Sequence, residues 1–220
     1  MKKQDFAVIG LGRFGRNVAR TLEKNGQHVL GIDQNEELVQ AVAQELTQAV
    51  IVDSTNANAL KALDIMSFNT VIVAIGTNFE ANVMTTVTLK ELGVQHVICK
   101  APTDRQAQIL LRVGADQVVR PEKEAGIRLA ETLVNPNMLE KFSLGKDTDY
   151  SIVECAVPTC LYNQTLTQSA IRNRFGISIL VIKRGQDIAV NPPPNMILQA
   201  DDALVILGHE KDIQTFLQLV

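Results

Sequence analysis

Positive charge is not in excess in this chain. Its 21 lysines and arginines stand against 24 aspartates and glutamates, a net charge of −3. That balance makes no electrostatic case for nucleic acid. No apolar run approaches the roughly 20 residues that cross a bilayer as a helix. The opening MKKQDF passes directly into a strand pattern, so no signal peptide is expected. Cysteine is scarce: Cys99, Cys155 and Cys160 show neither disulfide pairing logic nor metal-ligand spacing. Cys99 and Cys155 lie in apolar strand patterns, where cysteine acts as a small core residue. The chain reads as reduced and cytosolic, a setting in which the Asn163-Gln164-Thr165 sequon carries little meaning. Histidine is equally sparse. His28, His96 and His209 are not placed beside acids in a spacing that suggests a triad or a dehydrogenase dyad. HExxH, GxSxG and a Walker lysine are absent.

What is present is a large apolar fraction, 46% of 220 residues, enough to bury a sizeable core in one or two domains. The most informative stretch is FAVIGLGRFG at residues 6–15: an apolar strand running into Gly10-x-Gly12-x-x-Gly15. A helical pattern follows from Asn17 to Lys24, and then a second apolar strand, HVLGID, ending in Asp33. Such a strand, glycine loop, helix and acid in this order are what a βαβ nucleotide site needs. Gly10 permits the tight turn, Gly12 lets the backbone approach a pyrophosphate, and Gly15 lets helix and strand pack closely. Phosphates would sit on free N–H groups at the helix start, and Asp33 can accept from ribose hydroxyls. The competing reading is a tight turn that binds nothing.

Further strands are expected at residues 49–53, 70–76, 96–100 and 116–121. Their continuous β-branched character suits a parallel sheet buried on both faces. Asp33 or Asn35 can cap the second helix, Asn78 the fourth and Thr103 the fifth, and Pro121 suits a first turn. The fold class is therefore α/β: a Rossmann-like doubly wound parallel sheet followed by a small α+β C-terminal domain. The reading assigns residues 1–134 to the nucleotide-binding domain, 135–149 to a linker and 150–220 to the second domain. Asn135-Pro136-Asn137 ends the last helix, and SLGKDTD at 143–149 is a polar connector. After it come a strand at 150–158, a short helix from Thr167 to Arg174, a strand pair, a Pro192-Pro193-Pro194 turn, a strand and a terminal helix. A domain of about 75 residues is marginal by itself, so dimerisation would help it.

Several residues carry two readings each. Arg13, inside the glycine loop, can reach a third phosphate or a neighbouring subunit's phosphate, or be a solvated arginine. Asp53, Ser54 and Thr55 follow the third strand and either face the ligand crevice or cap the next helix. Ala74, Ile75, Gly76, Thr77 and Asn78 end the fourth strand, where small residues leave room for a base or ribose. Lys100 ends the fifth strand and can meet a phosphate or an acid, or be solvated. Glu122 is either a metal-linked ligand contact or a first-turn acid that favours the helix dipole.

The quoted FAVIGLGRFG, Asp33, VIVAIG at 71–76, KA at 100–101, GADQVVRPEKEAG at 114–126 and ALVILGHEKDI at 203–213 together resemble the cytosolic gating subunit of Ktr-type potassium transporters, the RCK (TrkA-N plus TrkA-C) proteins. The resemblance covers nearly the whole chain. It implies a non-catalytic regulatory subunit, a homodimer assembling into an octameric ring beneath a membrane-embedded potassium-translocating subunit. The protein would be cytoplasmic and peripheral on the inner membrane face, and would bind no nucleic acid. ATP or ADP would set the ring's shape, and NAD(H) binds some members. By position, the resemblance implies that Gly10, Gly12, Arg13, Phe14 and Gly15 form the phosphate loop and that Asp33, with Gln34, takes the ribose. Asp53, Ser54 and Thr55 would edge the adenosine pocket beside Ala74, Ile75, Gly76 and Asn78. Lys100 and Arg105 would lie near the phosphates, with Glu122 holding Mg²⁺ or Ca²⁺. In the second domain, Ile171, Arg172, Asn173, Ile188, Pro192 and Pro194 would align with a cyclic di-AMP site. The competing class is a small NAD(P)-dependent oxidoreductase on the same fold.

Overall fold

The computed structural model describes residues 4–145 and 148–219. Met1 to Lys3, Lys146 and Asp147 of the expected connector, and Val220 lie outside the described residues. The chain divides into two compact units, residues 1–124 and 125–220.

The first unit alternates strand and helix. Its strands are β1 (Asp5–Ile9), β2 (His28–Asp33), β3 (Gln48–Ile51), β4 (Thr70–Val73), β5 (Val97–Lys100) and β6 (Gln117–Val119). Between them run α1 (Arg13–Lys24), α2 (Glu36–Gln40), α3 (Ala57–Ala62), α4 (Phe79–Glu91) and α5 (Asp104–Arg112). The strands form one parallel sheet in the order β3-β2-β1-β4-β5-β6. The order reverses between β1 and β4, and in doubly wound sheets that switch point opens the ligand crevice at the carboxyl ends of the strands. Alternation along β1 shows why both faces are apolar. Ala7 and Ile9 enter one core with Leu30, Ile32, Val71 and Val73, while Val8 enters the opposite core with Val29 and Ile72. The helix starts follow the cap chemistry: Asn35 accepts from Glu37 N–H, Asn56 from Asn58 N–H, Asn78 from Ala81 N–H and Thr103 from Gln106 N–H.

Helix α6 (Pro121–Val134) contains the boundary between the units and buries none of its residues. The second unit adds β7 (Met138–Ser143), β8 (Tyr150–Ala156), α7 (Leu166–Ser169), α8 (Ile171–Phe175), β9 (Ser178–Arg184), β10 (Asp187–Val190), β11 (Asp202–His209) and α9 (Glu210–Leu217). Its sheet is antiparallel, ordered β10-β9-β11-β8-β7. Strand β7 falls where the sequence suggests a linker. Met138, 3% exposed, anchors it in the core, but the remaining residues, LEKFS, show no apolar alternation that would mark a strand. The helix expected over Thr167 to Arg174 is two short turns, because Ala170 adopts a left-handed backbone at φ 46°. The strands of this unit bury Val153, Cys155, Ile182, Leu204 and Ile206 within the unit, packed with Ile213 and Phe216 of α9. Large apolar side chains nonetheless stay exposed on strands of this unit, among them Phe142, Tyr150, Ile188 and Val190. Arg184 clamps buried Asp202 through two bonds, Nε to Oδ1 at 2.7 Å and Nη2 to Oδ2 at 2.9 Å.

Candidate functional site

The carboxyl ends of β1 to β5 surround a cleft of about 1150 Å³ in the first unit. Its floor is the glycine loop. Gly10 has φ +93°, and a Cβ there would come within 3.0 Å of the Ala74 carbonyl carbon. A Cβ on Gly15 would lie 1.9 Å from the Gly10 carbonyl oxygen, so α1 can lie this close to β1 only with glycine there. Gly12 differs. Its φ is −64°, open to any residue, and a Cβ there would meet no protein atom within 4 Å. The fold does not require glycine at this position; the space in front of it belongs to the cleft. Helix α1 begins here with no side-chain cap and no acid in its first turn, whereas α2 to α5 are each capped by Asn or Thr. Its first N–H groups therefore face the cleft side of the loop carrying the positive end of the helix dipole.

Asp33 ends β2 at the rim. Its Oδ2 accepts the Leu11 N–H at 2.7 Å and its Oδ1 accepts the Asn35 N–H at 2.9 Å. The carboxylate thus pins the glycine loop to the next turn and keeps lone pairs for a hydroxyl donor. Asp53 is organised similarly. Its Oδ1 accepts the Thr55 N–H at 2.9 Å and the Thr55 hydroxyl at 2.7 Å, and these bonds hold its carboxyl below the usual aspartate range. The cap of α3 is Asn56, so Asp53 is left to the crevice. Ser54 lines the cleft, but it is buried, and its hydroxyl is engaged by Thr85 at 2.9 Å.

Lys100, at the end of β5, lines the cleft. Its Nζ lies 2.6 Å from Glu122 Oε1 and 5.7 Å from the centre of the Phe14 ring. The Lys100 side chain is 13% exposed and that of Glu122 67% exposed. The Lys100 hydrogen bond holds the Glu122 carboxyl below the ordinary glutamate range. Asn82, a buried polar residue of α4, ties this corner together. Its Nδ2 donates to the Ile75 carbonyl at 2.7 Å and to the Lys100 carbonyl at 3.0 Å.

The cleft brings together Gly10, Gly12, Arg13, Phe14, Asp33, Gln34, Asp53, Ser54, Thr55, Ala74, Ile75, Gly76, Asn78, Lys100 and Glu122. Gly15 lies beneath it. Arg105 does not line it: the buried side of α5 is Ala107 and Leu110, and at about 100° per residue Arg105 projects from the opposite side. In the second unit, Ile171 is 3% exposed and packs in the core, so its side chain is not available to a ligand. Arg172, Asn173, Ile188 and Pro194 are exposed, and Pro192 is half-buried. Sequence reasoning missed Asn17, Asn35, Leu38, Glu80 and Met84 on the cleft wall. Asn17 and Glu80 follow from helical spacing, one turn beyond Arg13 and just past the Asn78 cap. Among the described residues no group of three or more His, Cys, Asp or Glu side chains is gathered as a metal cage. A cation here would take one carboxylate from the protein and its other ligands from phosphate and water.

Comparison with known proteins agrees with this architecture. A TrkA-N domain matches residues 6–121 and a TrkA-C domain residues 153–220. The Ktr system potassium uptake protein A of Bacillus subtilis (strain 168) is 41% identical over 216 residues, covering 98% of this chain and 96% of the relative. The Ktr system potassium uptake protein C of the same organism is 39% identical over 214 residues, covering 97% and 96%. Among solved structures, the GsuK channel superposes with a TM-score of 0.72 at 19% identity. It is similar over all of this chain but only 40% of its own length, and at that identity it speaks for the fold. The chain belongs to the TrkA-N/TrkA-C family, in which the Ktr system potassium uptake proteins A and C are found.

Proposed function

We propose that this protein is the nucleotide-sensing regulatory subunit of a membrane potassium transporter. In this reading it works as a cytoplasmic ring, peripheral on the inner membrane face, that responds to ATP against ADP. The observation that carries the reading is Gly12: a glycine the fold does not need, facing open cleft at the uncapped start of α1. A pyrophosphate fits that space and meets free N–H groups there. Asp33 would take ribose hydroxyls and Asp53 would edge the base. NAD(H) shares the ADP half and fits the same contacts. Calorimetry with ATP and ADP tests the site: micromolar binding of either supports it, and no heat with either nucleotide or NADH removes it.

Arg13 is exposed beside the loop and has no ion-pair partner among the described residues. If it reaches a third phosphate, in its own cleft or a neighbouring subunit's, Arg13→Ala will weaken ATP more than ADP. Equal losses assign it to general phosphate attraction. Glu122 is the residue proposed to share Mg²⁺ or Ca²⁺ with the phosphates. An unchanged metal response in Glu122→Gln would return it to a first-turn acid.

Homodimers and an octameric ring are part of this reading. The exposed apolar residues of α6, Leu129 with Leu133 on one side and Ile127 with Val134 on another, support self-association, since exposed apolar side chains favour burial. Elution volumes with ATP and then ADP, alone and with the membrane subunit, test it. For the second unit, Arg172, Asn173, Ile188, Pro192 and Pro194 remain the proposed cyclic di-AMP contacts, without Ile171. Calorimetry of the full chain with cyclic di-AMP decides this; no heat leaves the unit without that ligand.

A further inference from the structure

The cleft is short of free positive charge for a ligand made of phosphates. Its walls carry four carboxylates, Asp33, Asp53, Glu80 and Glu122, against two cations, Arg13 and Lys100. One of those cations is already engaged, because Lys100 Nζ sits 2.6 Å from Glu122 Oε1. Its position nonetheless borders the glycine loop. The ammonium faces Phe14, the second residue of α1, at 5.7 Å, so it stands next to the helix start that would receive phosphates. A Cβ on Gly76 would come within 3.4 Å of it, so the lack of a side chain there leaves the ammonium space to move. The backbone of Lys100 is fixed by Asn82, while its four-carbon stem is flexible and ends in three rotatable donors. Glu122 is well exposed and loses little by being left to solvent.

Resting on the nucleotide reading of the cleft, we propose that Lys100 is a switch between two anions. A polyphosphate held on the glycine loop draws its ammonium away from Glu122, and the released carboxylate, on the first turn of α6, becomes available to a cation. Phosphate outcompetes the carboxylate because it carries more charge and is held by the loop's N–H groups at the same time. Phosphate binding and cation binding are thereby linked through one side chain. An empty cleft keeps Glu122 neutralised and unattractive to metal; a filled cleft exposes it. The two ends of the link sit on different elements, β5 and α6, so occupancy of the cleft is felt at the start of α6.

A double-mutant cycle on the full-length chain, measured by calorimetry with ADP and ATP in EDTA, tests this. Removing metal isolates the Lys100 contact. Glu122→Gln frees the ammonium in advance and is expected to tighten binding by about 3- to 10-fold, while Lys100→Met weakens it by about tenfold, in the range of charge-assisted contacts. In the double variant the gain from Glu122→Gln should largely disappear, leaving it within about twofold of Lys100→Met, a coupling that independent sites do not show. If Glu122→Gln tightens binding equally in both backgrounds, the effect is plain charge repulsion and the switch is overturned. If wild-type protein binds neither nucleotide, the reading of the cleft fails and the switch with it. Lys100→Gln serves as a second variant, with thermal melting as the control for folding. Titration of Mg²⁺ without nucleotide adds an independent readout. Lys100→Met should bind it more tightly than wild type, and an unchanged affinity counts against release of Glu122.

Discussion

At the scale of single residues, the three loop glycines do different work, and substitution separates them. Gly12→Ala is expected to leave the melting of the protein within about 0.5 kcal/mol of wild type, as for a substitution that meets no neighbour. The same change should weaken ADP by tenfold or more, because the methyl group occupies the approach to the phosphates. Unchanged ADP affinity in calorimetry would disconnect the loop from the ligand. Asp202 offers a test of electrostatics in the second unit. Burial alone would raise its carboxyl, but the Arg184 bonds, the Gln199 N–H and the Arg184 charge outweigh burial and hold it below the ordinary aspartate value. A lowered folded pKa contributes stability that is present above the unfolded value near 3.9 and lost as pH falls through the folded value. Stability of this unit should therefore decline below about pH 4. In Asp202→Asn that part of the acid dependence should be absent. The chain has no tryptophan, and its two tyrosines, Tyr150 and Tyr162, both lie in the second unit. Urea midpoints followed by tyrosine fluorescence thus report this unit selectively.

At the scale of elements, α1 and α4 show two routes to close packing. Gly15→Ala would force a Cβ onto the Gly10 carbonyl, so α1 must move away from β1. A cost of about 1–3 kcal/mol in chemical unfolding is expected, typical of overpacking. A melt indistinguishable from wild type would show that the helix shifts freely. Helix α4 buries Asn82, Thr85, Thr86 and Leu89, a face at helical spacing made mostly of polar residues. The threonines are satisfied by one local and one long-range bond: Thr86 Oγ1 donates to the Asn82 carbonyl at 2.7 Å, and Thr85 shares a bond with Ser54. Apolar periodicity does not reveal such a face. Nor does it reveal β7, where the residues after the buried Met138 show no apolar alternation. In the second unit, α9 carries the large core side chain. Phe216→Ala should cost about 3–5 kcal/mol, lowering the tyrosine-detected midpoint, because Phe216 is fully buried against Phe175 at 5.5 Å between ring centres.

At the scale of the whole molecule, the proposed role is binding without turnover. ADP at 100 times its dissociation constant should stabilise the protein by about 2.7 kcal/mol, as for any ligand that binds only the folded state. Thermal melting over a series of ADP concentrations checks this. Sustained hydrolysis of ATP or oxidation of NADH by pure protein would replace the regulatory reading with the enzymatic one. Four exposed apolar residues on α6 predict that dilution changes the sedimentation coefficient. Leu133→Asp, on a helix that buries nothing in its own chain, should favour the smaller species without altering the melt of the monomer.

The sequence alone determined the α/β class, the six parallel strands, the helix caps at Asn78 and Thr103, and most residues lining the cleft; the structure chose Asn35 over Asp33 as the cap of α2. These follow from local rules: β-branched runs, cap chemistry at fixed offsets, and a glycine loop that permits a tight turn at Gly10 and close helix packing at Gly15. Local rules do not report which side chains meet across the sheet. The Lys100 contact with Glu122 joins residues from two elements and is set by the strand order, which places β5 beside β6 and the start of α6. The outward side of Arg105 and the burial of Ile171 were decided the same way, by which helix face the tertiary packing covers. That packing depends on the sum of many long-range contacts, and no neighbouring residues in the chain record it.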